Sequence, residues 1–175
     1  MSVFVVYVKE TGHVVGAVTA NGAAVPTVAA LVGDELPLRV SLEPGSVVSL
    51  TLKAGELAVH EADDEPGVFA DPLAFGVQPG EPGQPPKPAL AVLRKATVPL
   101  KFEVPGLTVT VGDAVSEETP VLVLISYGQA TSVLRGKIGQ GLGEVLLETL
   151  VDDDPHGVLV LVPGWAGRLE EVEKP

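Results

Sequence analysis

The sequence predicts a mainly β fold, and three features of its composition point to it. Valine supplies 31 of the 175 residues and isoleucine only two, and β-branched side chains suit the pleated surface of a sheet better than a helix. The 20 glycines and 16 prolines interrupt the chain so often that long helices are not expected. Apolar residues make up 46% of the chain, which is enough for the core of one domain or of two small ones.

In the first half, the strands are expected in short apolar runs. Residues 3–8 form the first run, and the next one ends in Asn21-Gly22, a frequent hairpin turn. Residues 46–60 indicate two strands joined near Ala54-Gly55. Each of these runs is short enough to be a strand and too short for a typical helix.

The second half contains one alternating segment and two unbroken apolar runs. Residues 107–111 alternate between polar and apolar, as a half-buried strand does. The runs 121–125 and 158–162 predict strands that are buried on both faces or at an interface. In residues 142–151 four apolar positions have the spacing of a helical stripe, but the corresponding stretch of the first half, residues 56–64, favours a strand, and we expect a strand.

Two similar nonapeptides indicate that one unit occurs twice. PTVAALVGD (26–34) and PGLTVTVGD (105–113) share the initial proline and the final Val-Gly-Asp, and acidic turns follow both in the same order. Between the halves, residues 78–88 contain five prolines and two glycines, a composition typical of a semi-rigid spacer. We therefore expect two tandem small β-sandwich or β-barrel-like domains, 1–77 and 89–175, the second a repeat of the first, joined by the linker 78–88.

Charge and composition exclude several classes of partner. The net charge of -12 and the pI of about 4.5 oppose binding to nucleic acid and to anionic lipid. The sequence has no cysteine for disulfides or thiolate metal sites, no apolar run of about 20 residues and no signal-peptide pattern. We expect protein partners without nucleic acid, membrane or cofactor, and a cytoplasmic protein or one that belongs to a particle released from the cell.

Two acidic turns are the most distinct polar features. They place consecutive aspartates ahead of a proline, at Asp63 and Asp64 and at Asp152, Asp153 and Asp154. Carboxylate oxygens are the ligands that Ca²⁺ prefers, but neither turn has the spacing of an EF-hand loop. Both readings stay open at this point: ordinary solvated turns, or calcium sites.

No segment has a catalytic signature. The glycine-rich stretch 135–143 has its lysine ahead of the glycines, unlike a phosphate-binding loop, and is interpreted as a flexible hairpin tip. His13, His60 and His156 are far apart and form no metal-binding pair. Ser126 lacks the glycines of a nucleophile elbow. We therefore do not expect an enzyme.

The expected function is that of a non-enzymatic structural or interaction protein, a subunit or adaptor of a larger assembly such as a phage-tail-like particle. Mean hydropathy is +0.37 although the chain has 23 acidic residues. This value indicates more apolar surface than two small domains easily bury. The interface is expected at the apolar first strand and at two aromatic residues beside glycines: Val3, Phe4, Val5, Val6, Tyr7, Phe75 and Trp165. The alternative is a ligand-binding β module for a small molecule, glycan or peptide, dependent on calcium at the acidic turns.

Overall fold

The computed structural model describes residues 1–22, 24–78 and 90–175. This part of the chain contains fourteen β-strands and two short α-helices, so the predicted mainly β class is confirmed. None of the sheets in the described residues closes into a barrel. Of the predicted linker, 78–88, only Gln78 falls within the described residues.

The first half contains a three-stranded sheet, a hairpin and two short helices. Its elements are β1 (Ser2–Val8), β2 (Val14–Ala20), α1 (Val28–Val32), β3 (Glu35–Leu42), β4 (Ser46–Lys53), β5 (Leu57–Ala62), α2 (Gly67–Ala70) and β6 (Phe75–Val77), with 3₁₀ turns at Ala54–Glu56 and Pro72–Ala74. Strand β1 lies between β2 and β5, antiparallel to both. Strands β3 and β4 form a separate antiparallel hairpin.

The second half contains a four-stranded and a three-stranded sheet. Its strands are β7 (Leu90–Val92), β8 (Lys101–Glu103), β9 (Gly106–Thr110), β10 (Thr119–Tyr127), β11 (Ala130–Ile138), β12 (Glu144–Glu148), β13 (His156–Leu161) and β14 (Arg168–Val172). One sheet has the order β12-β9-β8, and the other, termed the central sheet, has the order β11-β10-β13-β14. Strand β7 pairs with β6. The strand expected within residues 142–151 is confirmed as β12.

Both faces of the central sheet are buried, because residues that alternate along β10 and β13 enter different core clusters. Valines and an isoleucine pack on the sheet β12-β9-β8: Val121, Val123, Ile125, Val158 and Val160 meet Phe102, Leu107 and Val109. Leucines on the other face pack on the β3–β4 hairpin: Leu122, Leu124, Leu159 and Leu161 meet Val40, Leu42, Leu50 and Leu52. The prediction that 121–125 and 158–162 are buried on both faces is confirmed.

The leucine face of the central sheet joins the two halves of the chain. One core cluster contains side chains from 1–77 together with side chains from 89–175. Polar contacts cross the same junction: Thr51 N donates to Thr131 Oγ1 at 3.0 Å, and Arg135 lies 3.2 Å from carboxylate oxygens of both Glu10 and Glu56. The boundary between domains 1–77 and 89–175 stays a prediction, but the two sides share a core.

The predicted duplication is not confirmed, because the two similar nonapeptides have different structures. Residues 26–34 contain α1, whose first turn is capped where Ala30 N donates to Thr27 Oγ1 at 3.1 Å. Residues 105–113 contain the strand β9, in which Leu107 and Val109 are buried and Thr108 and Thr110, which alternate with them, are partly exposed. Alanines and a capping threonine favour a helix, whereas alternating β-branched residues favour a strand.

Two predicted hairpins also differ from the structure. After Asn21-Gly22 the chain enters α1 and does not form a strand that pairs with β2. Residues 139–143 connect β11 of the central sheet to β12 of the other sheet, and residues 135–138 belong to β11. In both cases the turn residues are present, but the element that follows packs in another part of the fold and does not pair with the preceding strand.

Candidate functional site

The structure places the expected interface residues in the interior of the chain. They are Val3, Phe4, Val5 and Val6 on β1, Phe75 on β6 and Trp165 after β13, each at most 9% exposed, with Tyr7 half-buried. The aggregation-prone first strand is thereby paired on both sides within the fold. Of the expected interface residues only Tyr7 is partly accessible on the folded chain, and an interface there stays a prediction.

The acidic turns each lie at the surface and their carboxylates have protein partners or face solvent. Asp63 and Asp64 follow β5 and are exposed. Asp152 Oδ1 lies 2.8 Å from His156 Nε2, and Asp153 Oδ1 lies 3.1 Å from Lys174 Nζ. Across residues 1–22, 24–78 and 90–175, no group of three or more His, Cys, Asp or Glu side chains is arranged to hold a metal ion. Calcium binding at the five aspartates stays a prediction.

Strands β10 and β13 bring together the three residue types of a hydrolytic triad, although not in its geometry. His156 Nδ1 lies 2.6 Å from the backbone oxygen of Ser126, and its Nε2 is used by Asp152. The Ser126 hydroxyl oxygen accepts from Gly157 N at 2.8 Å, and Ser126 is 2% exposed. A nucleophilic serine needs its hydroxyl on the ring nitrogen and access to substrate. This cluster therefore has a structural role and was not evident in the sequence, since Ser126 and His156 are 30 positions apart.

The same cluster holds the loop between β12 and β13 against the core. The Tyr127 hydroxyl donates to the backbone oxygen of Leu150. The His156 ring packs between Tyr127 and Phe102, with centroid distances of 5.2 and 6.0 Å. Both ring nitrogens of His156 thus have an oxygen partner within hydrogen-bond distance. Leu150 is therefore presented from an anchored loop.

A second buried histidine links the two halves. His13, which is fully buried, has Nδ1 2.9 Å from Thr11 Oγ1 and Nε2 2.6 Å from the backbone oxygen of Trp165. Burial lowers the pKa of His13 below its usual 6.5, and the hydrogen bond to Trp165 only partly opposes this. In the neutral ring, Nε2–H donates to the carbonyl and Nδ1 accepts from the threonine hydroxyl. The side chain is thus a satisfied structural group.

Exposed apolar side chains gather on the sheet β12-β9-β8 and the turns at its ends. Ten large apolar residues are exposed in the described part of the chain, and four of them belong to this region: Val104 (83%), Leu142 (57%), Leu146 (46%) and Leu150 (89%). Val104 lies in the β8–β9 turn, and the three leucines lie before, on and after β12. Alternate positions of a strand share a face, so the segment with helical spacing is divided: Val145 packs against the core, whereas Leu146 lies on the exposed side of β12.

We term outer face the side of this sheet that points away from the core. It is formed by alternate residues of the three strands: Lys101, Glu103, Thr108, Thr110, Glu144, Leu146 and Glu148. A groove on this face is lined by the two threonines, Glu144, Leu146 and Leu142. A notch at one end of the sheet lies between Val104 and Leu150 and is closed by Lys174. Hydroxyls, carboxylates and exposed leucines together suit binding to a surface that is partly apolar.

The described residues include no helix that is long and apolar enough to cross a membrane. Comparison with known proteins gives no family assignment: no family model, no curated protein and no solved structure matches the chain.

Proposed function

We propose that this chain is a non-enzymatic interaction protein, a subunit or adaptor of a larger protein assembly. The observation that carries the proposal is the concentration of exposed apolar side chains at one sheet: Val104, Leu142, Leu146 and Leu150. Single exposed apolar residues are ordinary on protein surfaces, but neighbouring ones mark contact sites. Apart from the half-buried Tyr7, the side chains first expected at the interface are buried, so this surface takes their place in the proposal.

A partner that covers these four side chains would gain free energy from the apolar surface it buries. Complete burial of a valine or leucine side chain is worth about 1.5–3 kcal/mol. Weighted by their exposed fractions, the four residues at the sheet would contribute on the order of 4–8 kcal/mol. Association itself costs about 4–15 kcal/mol. The two pairs, Val104 with Leu150 at the notch and Leu142 with Leu146 in the groove, therefore suit a contact that also uses polar groups of the outer face.

The way in which Leu150 is held supports the same proposal. Its loop is fixed by the hydrogen bond from Tyr127 and by the contact between Asp152 and His156. An apolar side chain in a loop without such contacts would lose conformational entropy on binding, whereas an anchored one loses less. The exposed position of Leu150 is therefore preorganised for contact with a partner.

The test is to isolate the chain under native expression in its own cells and to measure the mass of what it forms. We expect a discrete assembly larger than the 18.0 kDa chain, and its loss in the double variant Val104→Ser/Leu150→Ser. Val47→Ser is the matched control, because Val47 is 57% exposed on β4. A chain that is monomeric in its own cells, and whose melting temperature rises with calcium or a saccharide, would support the ligand-binding alternative instead.

A further inference from the structure

Strand β12 (Glu144–Glu148) is the edge strand of the sheet whose outer face is described above. It pairs with β9 on one side, and no strand of the described residues pairs with it on the other. An edge of this kind presents unpaired backbone groups to which an extended chain can add.

Two hydrogen bonds show which backbone groups of β12 point toward that edge. Val111 N donates to Gly143 O at 2.9 Å, and Thr149 N donates to Pro105 O at 3.1 Å. Residues 143 and 149 therefore turn their backbone groups toward β9, and the register between them is regular. Because the direction alternates along a strand, the N–H and C=O groups of residues 144, 146 and 148 point outward.

The side chains at the same three positions form a simple chemical pattern. Glu144, Leu146 and Glu148 are all exposed, so a leucine lies between two carboxylates on the outer face. Neither glutamate has an ion pair with a basic side chain of the described residues. Within the described part of the chain, the one side-chain hydrogen bond to Glu144 comes from the hydroxyl of Thr110, at 3.4 Å. The two carboxylates thus remain available to cations.

We infer that the edge of β12 binds an extended segment of another protein that places a basic residue opposite Glu144, an apolar residue opposite Leu146 and a basic residue opposite Glu148. Residues directly opposite each other on paired strands share a face, and pairs of opposite charge are favourable there. The pattern of basic, any, apolar, any and basic residue is symmetric, so it fits a strand added in either direction. This inference rests on the proposed function and specifies its partner.

A second copy of the chain does not fit the same edge. Two β12 strands paired about Leu146 would place Glu144 opposite Glu148, and like charges in that position are destabilising. The net charge of -12 adds to the repulsion. None of the 11 lysines and arginines lies four positions from another, so the chain contains no segment with the required pattern. The partner is therefore a different protein.

The test is a titration of the labelled full chain with two synthetic peptides, followed by NMR amide shifts. The peptide GTKTVTKTG has the inferred pattern, and GTETVTETG has the opposite charges. We expect the lysine peptide to shift the amides of residues 144, 146 and 148 first, and the glutamate peptide to leave them unchanged. Glu144→Gln/Glu148→Gln should weaken binding about 2- to 30-fold, whereas Glu35→Gln/Glu173→Gln, an exposed pair with the same charge change, should not.

Three results would overturn the inference: no shift at β12 with the lysine peptide, equal binding of both peptides, or self-association of the Glu144→Gln/Glu148→Gln variant without peptide binding. The last would mean that the carboxylates only keep the edge unpaired. Isolation of the Glu144→Lys/Glu148→Lys variant from its own cells separates the two proposals. An assembly that survives this charge reversal removes β12 as the contact and leaves the proposed function standing, whereas a wild-type chain that forms no assembly refutes the proposed function itself.

Discussion

Gly157, in β13, lies where the β3–β4 hairpin packs against the central sheet, and replacing it with alanine tests whether the two halves are stabilised by each other. A Cβ atom at this position would be 2.9 Å from Cγ2 of Val48 and 3.2 Å from Cβ of Val40. Carbon atoms in favourable contact are about 3.5–4.0 Å apart. The Cβ of Val40 is bonded to the backbone and valine is stiff at χ1, so the hairpin itself has to move.

The expected cost follows from two opposing effects. Inserting a methyl group into a well-packed core costs about 1–3 kcal/mol. Alanine also lowers the conformational entropy of the unfolded chain, which stabilises the fold by about 0.4–1 kcal/mol. The backbone of Gly157 does not have the positive φ that would strain an alanine. We therefore expect Gly157→Ala to lower the free energy of unfolding by roughly 1–2 kcal/mol. Gly16→Ala is the matched control, because it is also in a strand and nothing lies within 4 Å of its Cβ.

The assay is urea unfolding followed by the fluorescence of Trp165 and by far-UV circular dichroism. Trp165 is the only tryptophan, and it belongs to the cluster on the opposite face of the central sheet from the hairpin. If the shared core couples the halves, both signals should shift to lower urea together in Gly157→Ala. An unchanged Trp165 midpoint, or a stability equal to that of Gly16→Ala, would refute this reasoning and favour two independent domains at 1–77 and 89–175.

Three further predictions concern single positions. Gly106→Ala places a Cβ on the carbonyl oxygen of Leu147, so it should separate β9 from β12 and cost at least about 3 kcal/mol in urea unfolding; a wild-type midpoint would contradict the register. Because the pKa of His13 is lowered in the folded state, the unfolded chain binds the proton more tightly. The stability that neutral His13 contributes to the fold is therefore complete above about pH 6.5 and is lost as pH falls through the lowered pKa of the folded state. Stability measured between pH 7.5 and 5 should therefore decline less steeply in His13→Gln, and equal slopes would show that His13 does not titrate on unfolding. Asp152→Asn should cost about 1 kcal/mol, because the carboxylate is largely exposed, and should broaden the amide signal of Leu150, whereas an unaltered Leu150 signal would mean that Tyr127 alone anchors the loop.

The candidate surface was only partly accessible to sequence reasoning. The spacing of Leu142, Leu146 and Leu150 is visible in the sequence, and strand alternation places Leu146 on the same side of β12 as Glu144 and Glu148. That this side is exposed depends on Leu147, which points to the core and packs close to Gly136 of β11. The edge position of β12 likewise depends on which strands pair, and the pairing of β9 with β12 joins segments that are distant along the chain.

By itself the sequence determined the β class of this protein, the burial of the runs 121–125 and 158–162 and the strand in residues 142–151, because these follow from side-chain shape and from the period of the apolar residues. Tertiary structure alone decided that the first strand is buried inside the chain and that the carboxylates of β12 line an open edge. The reason is physical: local preferences differ by less than about 1 kcal/mol per residue, whereas burial against a distant strand is worth about 1.5–3 kcal/mol per large apolar side chain. Contacts such as that between Thr51 and Thr131, 80 positions apart, therefore decide which of several local preferences is realised.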